Sequence, residues 1–218
     1  MKSGAIFDMD GLLFDTEKIY RDVWNHLPEE FGMTNDPTLG EAVCGTSGEH
    51  LRKIVQSRFP EIDADAFVRR GLERVEQTVM ERQPEEKPGV HEILDDLKSR
   101  GLRLAVASGS PEAVIQLNLE RAGLTGYFDA VVSGFSVPHG KPAPDIFLES
   151  ARRIGCRPED CYVFEDGANG IRAAASAGCT PVMIPDLTEP DDQLQALCAG
   201  IYPTLLDALR AIQIGTIE

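Results

Sequence analysis

Short apolar runs alternate with helical patterns along most of this chain, and that alternation restricts the fold more than any other feature. Ala5-Ile6-Phe7 is apolar and ends at Asp8. Leu102–Ala107 follows the stop signal Gly101, and Ala130–Val132, Cys161–Phe164 and Pro181–Ile184 continue the series. Such short runs fit strands buried on both faces of a parallel sheet. Between them, Val90, Ile93, Leu94 and Leu97 recur at helical spacing and stop at Gly101. Val114, Ile115, Leu117 and Leu119 stop at Gly123, with Ser110 as the expected N-cap and Pro111 in the first turn. Asp145 is expected to cap a helix over Ile146–Ile154, and alanine-rich Ile171–Ala177 ends at Gly178. The expected fold class is α/β, with a Rossmann-like parallel sheet core flanked by helices.

The stretch 16–83 breaks this pattern. Ile19, Tyr20, Val23, Trp24 and Leu27 share one helical face, as do Leu51, Ile54 and Val55. Phe67, Val68, Leu72, Val75 and Val79 form a third helical stripe. With no strand between them, residues 16–83 read as an all-helical insert, and residues 1–15 and 84–218 as the core domain. Pro84 and Pro88 mark the return linker.

Charge narrows the partners. Asp and Glu number 36 against 21 Lys and Arg, a formal charge of −15. A surface this acidic repels phosphate backbones and anionic lipid, so neither nucleic acid nor membrane is expected as a partner. The first apolar run is interrupted by Asp8 and Asp10, so it is not expected to be a secretory leader. The cysteines are Cys44, Cys156, Cys161, Cys179 and Cys198, an odd count with no C-x-x-C pair. Reduced thiols in a cytoplasmic protein are expected from that usage; the protein is expected to be a monomer. The histidines His26, His50, His91 and His139 show no paired metal spacing.

The strand ends carry the chemistry. Asp8-Met9-Asp10-Gly11 follows the first strand, with Asp15-Thr16 shortly after. Alone it reads equally as a turn; a calcium loop would need further acidic positions that are missing here. Leu102–Ala107 runs into Ser108-Gly109-Ser110, the loop after Ala130–Val132 carries Lys141, and Cys161–Phe164 runs into Glu165-Asp166-Gly167. Each has a bland alternative: a cap for Ser110 and Glu165-Asp166, a solvated charge for Lys141. Open α/β sheets bind ligands beyond the carboxyl ends of their strands, so topology gathers all four segments into one crevice. Asp8, Asp10 and Asp166, with Glu165 nearby, form a hard oxygen site that suits Mg2+. A hydroxyl and a lysine opposite would hold phosphoryl oxygens. One carboxylate could attack phosphorus and the other serve as general acid and then base.

In this order, Asp8-Met9-Asp10-Gly11-Leu12-Leu13-Phe14-Asp15-Thr16, Ser108, Lys141 in Gly-Lys-Pro-Ala-Pro-Asp, and Glu165-Asp166 resemble the four motifs of the haloacid dehalogenase superfamily. The resemblance covers essentially the whole chain. It is nearest to the subgroup of β-phosphoglucomutase and related sugar-phosphate phosphatases. It implies that the helical insert is a cap domain; the motif-marked and Pro-marked crossings at 14–16 and 83–88 are the expected hinges. It implies Asp8 as nucleophile, Asp10 as acid/base, and Ser108, Gly109 and Lys141 around the transferring phosphate. It further implies Mg2+ held by Asp8, the Asp10 backbone carbonyl and Asp166, with Glu165 close by or coordinating. The substrate is then a small phosphorylated metabolite, with Tyr20, Trp24, Gly45, Thr46 and Ser47 as candidates on the cap face; packing is the alternative for the aromatics. Mutases of this subgroup carry a cap histidine where Tyr20 stands and a phosphate-gripping arginine where Gly48 stands. These departures favour hydrolysis over phosphate relocation.

Overall fold

A computed structural model gives the architecture and describes residues 2–43, 48–187 and 189–217. The chain enters as β1 (Gly4–Phe7) and passes through α1 (Thr16–Glu30), α2 (Leu39–Val43), α3 (Gly48–Arg58) and α4 (Ala64–Glu81). It continues as α5 (Val90–Ser99), β2 (Arg103–Ser108), α6 (Glu112–Arg121), β3 (Ala130–Ser133), α7 (Asp145–Arg153) and β4 (Cys161–Glu165). The last elements are α8 (Ala168–Ser176), β5 (Thr180–Met183), α9 (Asp192–Leu197), β6 (Gly200–Ile201) and α10 (Leu205–Gln213).

The strands form one sheet in the order β3-β2-β1-β4-β5-β6, parallel at every pairing. This is the α/β Rossmann-like sheet anticipated from the sequence. β1 lies in the middle, with Phe7 opposite Val106 on one side and Phe164 on the other. The path along the sheet reverses at β1, and such a switch point opens a crevice beyond the strand ends. Side chains alternate across the sheet. Phe7, Leu104, Val106 and Phe164 pack with Leu94, Leu97 and Leu209 from α5 and α10. Ile6, Ala105, Ala107 and Val163 pack with Ile146 and Phe147 from α7. The Phe7 and Phe164 rings stack with centroids 4.7 Å apart. Each large side chain buried this way contributes about 1.5–3 kcal/mol of apolar transfer, which holds β1 and its exit loop in place.

Two compact units result: residues 1–14 with 85–218, and residues 15–84. In the helical unit, Asp15 caps α1 by accepting from the Lys18 amide. Trp24 and Leu27 of α1 are buried, as are Phe67, Gly71, Val75 and Val79 of α4. The stripe expected through Leu72 is corrected here, because Leu72 is 47% exposed and Gly71 takes the inward position. A methyl group on Gly71 would lie 2.4 Å from the Trp24 ring, so the absent side chain is the slot that admits the indole. Trp24 is therefore a core residue of this unit. Two other expectations need correction. α6 starts at Glu112 with Pro111 in the N-cap position, so Ser110 is not its cap. Asp145 lies inside the first turn of α7, 3.0 Å from His139 Nδ1, rather than capping it. α2, α9, β6 and α10 escaped the sequence reading; α2, α9 and β6, with five, six and two residues, are too short to carry a legible period.

Among the described residues, no helix is long and apolar enough to cross a membrane. Cys156, Cys161, Cys179 and Cys198 are free thiols.

Candidate active site

The first loop beyond the sheet is set by β1. The Asp8 amide donates to the Phe164 carbonyl, 3.0 Å, extending the β1–β4 ladder by one bond and leaving the Asp8 side chain at the strand ends. Gly11 follows with φ +79°, a conformation that lets the chain turn back so that the Gly11 amide donates to the Phe14 carbonyl. Both Asp8 and Glu165 are buried, Asp8 at the end of β1 and Glu165 at the last position of β4.

Lys141 reaches these carboxylates from the loop before α7. Its ammonium donates to Asp8 Oδ1 at 2.6 Å, Glu165 Oε1 at 2.5 Å and the Ala107 carbonyl at 3.2 Å, and it sits 5.2 Å from the centre of the Phe147 ring. Burial opposes its charge, yet Asp8 and Glu165 outweigh that and hold the ammonium above the ordinary lysine range. Lys141 is thus a fixed cation, not a solvated loop charge.

Asp10 faces a different partner. Its Oδ2 accepts from the Ser108 hydroxyl at 3.0 Å and from the Ser110 hydroxyl at 2.8 Å. The Ser110 amide in turn donates to Ser108 Oγ, and the Ser133 hydroxyl donates to the Ser110 carbonyl. Two carboxylates separated by one residue are therefore set apart chemically: Asp8 against a lysine, Asp10 against two hydroxyls. Gly109, between the serines, is exposed, and a side chain there would meet nothing within 4 Å. That leaves the backbone open to a ligand.

Glu165 is occupied at both oxygens, Oε1 by Lys141 and Oε2 by the Gly167 amide at 2.9 Å. It can sit there only because Gly170 has no side chain. A methyl group at that position would lie 1.8 Å from Glu165 Oε1.

One carboxylate oxygen from each of Asp8, Glu165 and Asp166 falls within 4.8 Å of the other two. Negative charge exceeds positive at this point. Burial pushes Asp8 up to about 7; Lys141 works against that rise, while Glu165 and Asp10 add to it. Burial, then Glu165 and Asp8, push Asp166 well above the usual carboxylate range. A single lysine does not balance the cluster, and hard oxygen donors with surplus charge fit a divalent cation such as Mg2+. The Asp10 carboxylate is not in this group, since it is turned toward the serines.

The structure brings together Asp8, Asp10, Ser108, Lys141, Glu165 and Asp166, with Gly109 beside them. Tyr20 lies half-buried on α1 in the helical unit. Gly45, Thr46 and Ser47 lie outside the described residues. Sequence reasoning passed over Ser110, which it took for a cap; the Ser-x-Ser spacing at a strand end was the available signal. Gly170 was invisible to it, because nothing in a glycine announces which side chain needs its space. A cavity of about 490 Å3 lies elsewhere, between α1 and α4, lined by residues including Val23, His26, Glu30 and Arg74. It holds no comparable set of acid, hydroxyl and lysine groups.

The model of the haloacid dehalogenase-like hydrolase family matches residues 5–184. The chain belongs to this family. It is 37% identical over 183 residues to the fructose-1-phosphate phosphatase YqaB of Escherichia coli, covering 83% of this chain and 95% of that protein. It is 30% identical over 181 residues to the β-phosphoglucomutase of Bacillus subtilis, covering 80% and 79%. The solved structure of a candidate β-phosphoglucomutase from Thermotoga maritima superimposes with a TM-score of 0.81 at 30% identity, covering 98% of this chain and 99% of that one. These three relatives are named for the hydrolysis or relocation of phosphate on small molecules.

Proposed function

We propose that this protein is a Mg2+-dependent phosphatase of a small phosphorylated metabolite of the sugar-phosphate class, working through an aspartyl-phosphate on Asp8. The observation that carries the reading is the separation of roles between Asp8, paired with buried Lys141, and Asp10, held by two hydroxyls. An Asp8 oxygen attacks phosphorus and the ester oxygen leaves with a proton from Asp10. Asp10, now ionised, takes a proton from the water that attacks the phosphorus of the aspartyl-phosphate. Inorganic phosphate departs and Asp8 is restored. Ser108, the Gly109 backbone and Lys141 hold the phosphoryl oxygens through both steps.

Asp8 and Asp166, with the Asp10 backbone carbonyl, would hold Mg2+; when bound, the ion neutralises charge between the carboxylates and the phosphoryl group. Glu165, with both oxygens occupied, fits the task of fixing Lys141 better than direct ligation. In this reading residues 16–83 are a cap whose closure keeps water out until substrate is bound. Tyr20, Gly45, Thr46 and Ser47 contribute to substrate choice. The enzyme acts as a cytoplasmic monomer, and its acidic surface leaves polyanions aside.

Phosphate release from a panel of phosphorylated sugars, polyols and nucleotides, with and without Mg2+, tests the reading. Asp8→Asn should abolish release while leaving the melting temperature near that of the wild type; turnover retained in that variant would sink the mechanism. A phosphomutase is the second reading, favoured by the 30% identity to a β-phosphoglucomutase. It needs grips on two phosphates, and Tyr20 and Gly48 stand where that subgroup has its histidine and arginine. A coupled isomerisation assay separates the two, because a mutase yields relocated phosphate and little free phosphate.

A further inference from the structure

Asp186 lies in the loop after β5, outside every motif of the sequence. Its Oδ1 accepts from the Lys87 ammonium at 2.8 Å, with both side chains mostly buried, 22% and 17% exposed. Its Oδ2 is buried and, among the described residues, has no hydrogen-bond partner. A buried carboxylate oxygen without a donor is costly, so its surroundings matter. They are given by Gly11: a methyl group placed there would lie 2.5 Å from Asp166 Oδ2 and 3.5 Å from Asp186 Oδ2. Both oxygens therefore face the same small gap over Gly11. Asp166 is a member of the acidic cluster suited to a divalent cation. Lys87 offsets the charge of Asp186 from the far side and leaves the near oxygen as an acceptor. Two acceptors across a gap need a donor between them.

We infer that Asp186 is a positioning residue for the cation site: its Oδ2 accepts a hydrogen bond from the hydration shell of the ion held by Asp8 and Asp166. Mg2+ retains several of its waters when protein-bound, and those waters are strong donors. Outer partners of this kind orient ligands and tune affinity. Lys87 adds a link to the chain's return crossing. Its amide donates to the Leu13 carbonyl at 2.9 Å, and the neighbouring Glu86 pairs with Phe14 in an antiparallel bridge. The clamp on Asp186 is thus anchored where the chain leaves and re-enters the sheet unit. This inference rests on the Mg2+ reading above.

Mg2+ titrations of the metal-free full-length protein, followed by calorimetry and by melting temperature, test it. Asp186→Asn keeps an acceptor for Lys87 but replaces the free carboxylate oxygen. It should weaken Mg2+ binding about 10–100-fold, with a lowered metal-free melting temperature because the Lys87 ammonium loses its charged partner. The concentration of Mg2+ that half-saturates turnover should rise by the same factor, while KM for the ester at saturating Mg2+ stays unchanged. The double variant Lys87→Met with Asp186→Leu removes the pair together, leaves no buried unpaired ammonium, and should show the same loss of Mg2+ affinity. Unchanged Mg2+ affinity in either folded variant overturns the inference and makes the pair a structural tie only. A wild type that Mg2+ neither binds nor stabilises overturns the cation reading, and this inference with it.

Discussion

Replacing Gly170 with alanine should destabilise this protein and slow it, although helix propensity by itself predicts the opposite sign. Gly170 is the third residue of α8, and Gly→Ala in a helix interior is worth up to about 1 kcal/mol in favour of the variant. Against that stands a methyl group 1.8 Å from Glu165 Oε1, a contact that only a shift of the Glu165 side chain relieves. Glu165 is 2% exposed, so it must leave a buried position and give up its bonds to Lys141 and the Gly167 amide. Breaking a buried ion pair costs about 3–5 kcal/mol, because the remaining charge is left uncompensated. The net is a loss of about 2–4 kcal/mol once the propensity gain of roughly 1 kcal/mol is subtracted. For a chain of this size each kcal/mol moves the melting temperature by about 2–4 °C, so a fall of about 5–15 °C is expected. Turnover should drop by about 100-fold, since Lys141 loses the group that fixes it beside Asp8. Thermal unfolding and steady-state phosphate release measure both effects. Gly126→Ala, at a position with nothing within 4 Å of an added methyl, is the control and should shift neither. A Gly170→Ala protein that melts at or above the wild-type temperature with normal turnover would refute the argument that this glycine exists to seat Glu165.

Ser110→Ala removes one of two hydroxyl donors from Asp10, and a bond to a charged acceptor is worth about 1.5–3 kcal/mol, so kcat for a sugar phosphate should fall about 10–100-fold. An aryl phosphate, whose leaving group needs little protonation, should be affected much less; equal losses on both would remove Ser110 from the acid–base role. Burial pushes the Cys161 and Cys179 thiols up to about 12, so at pH 8 both stay protonated and should resist an aromatic disulfide reagent until the protein is unfolded; rapid labelling of either in the native state, read by mass spectrometry, would contradict this. Burial works to raise Asp129, but the Leu104 amide and the Lys98 ammonium outweigh it and hold the carboxyl below its usual range. A depressed folded-state value means that its stabilisation is complete above the unfolded value, about 3.9, and is lost as the pH falls through the folded value. The gap in melting temperature between wild type and Asp129→Asn should therefore be widest near neutrality and close on acidification; a gap independent of pH would show that charge is not its source.

Much of this protein is determined by sequence-local physics. The runs at Ala5–Phe7, Leu102–Ala107 and Cys161–Phe164 became adjacent central strands, because short, largely apolar segments fit best where a parallel sheet buries both faces. Once the strands are known, Asp8, Ser108 and Glu165 must emerge at one end, since parallel strands place their carboxyl ends together. What the linear chain does not determine is who pairs with whom across it. Lys141 is 133 residues from Asp8, and Ser110 is 100 residues from Asp10; in the sequence each reads as a loop charge or a cap. Their roles depend on which side chains burial brings within hydrogen-bond distance. The same limit hid Gly71 under Trp24, Gly170 under Glu165 and Asp186 beside Asp166. A glycine's value lies in the neighbour that fills its space, and a carboxylate's in the donors left to satisfy it, and both are properties of packing in three dimensions.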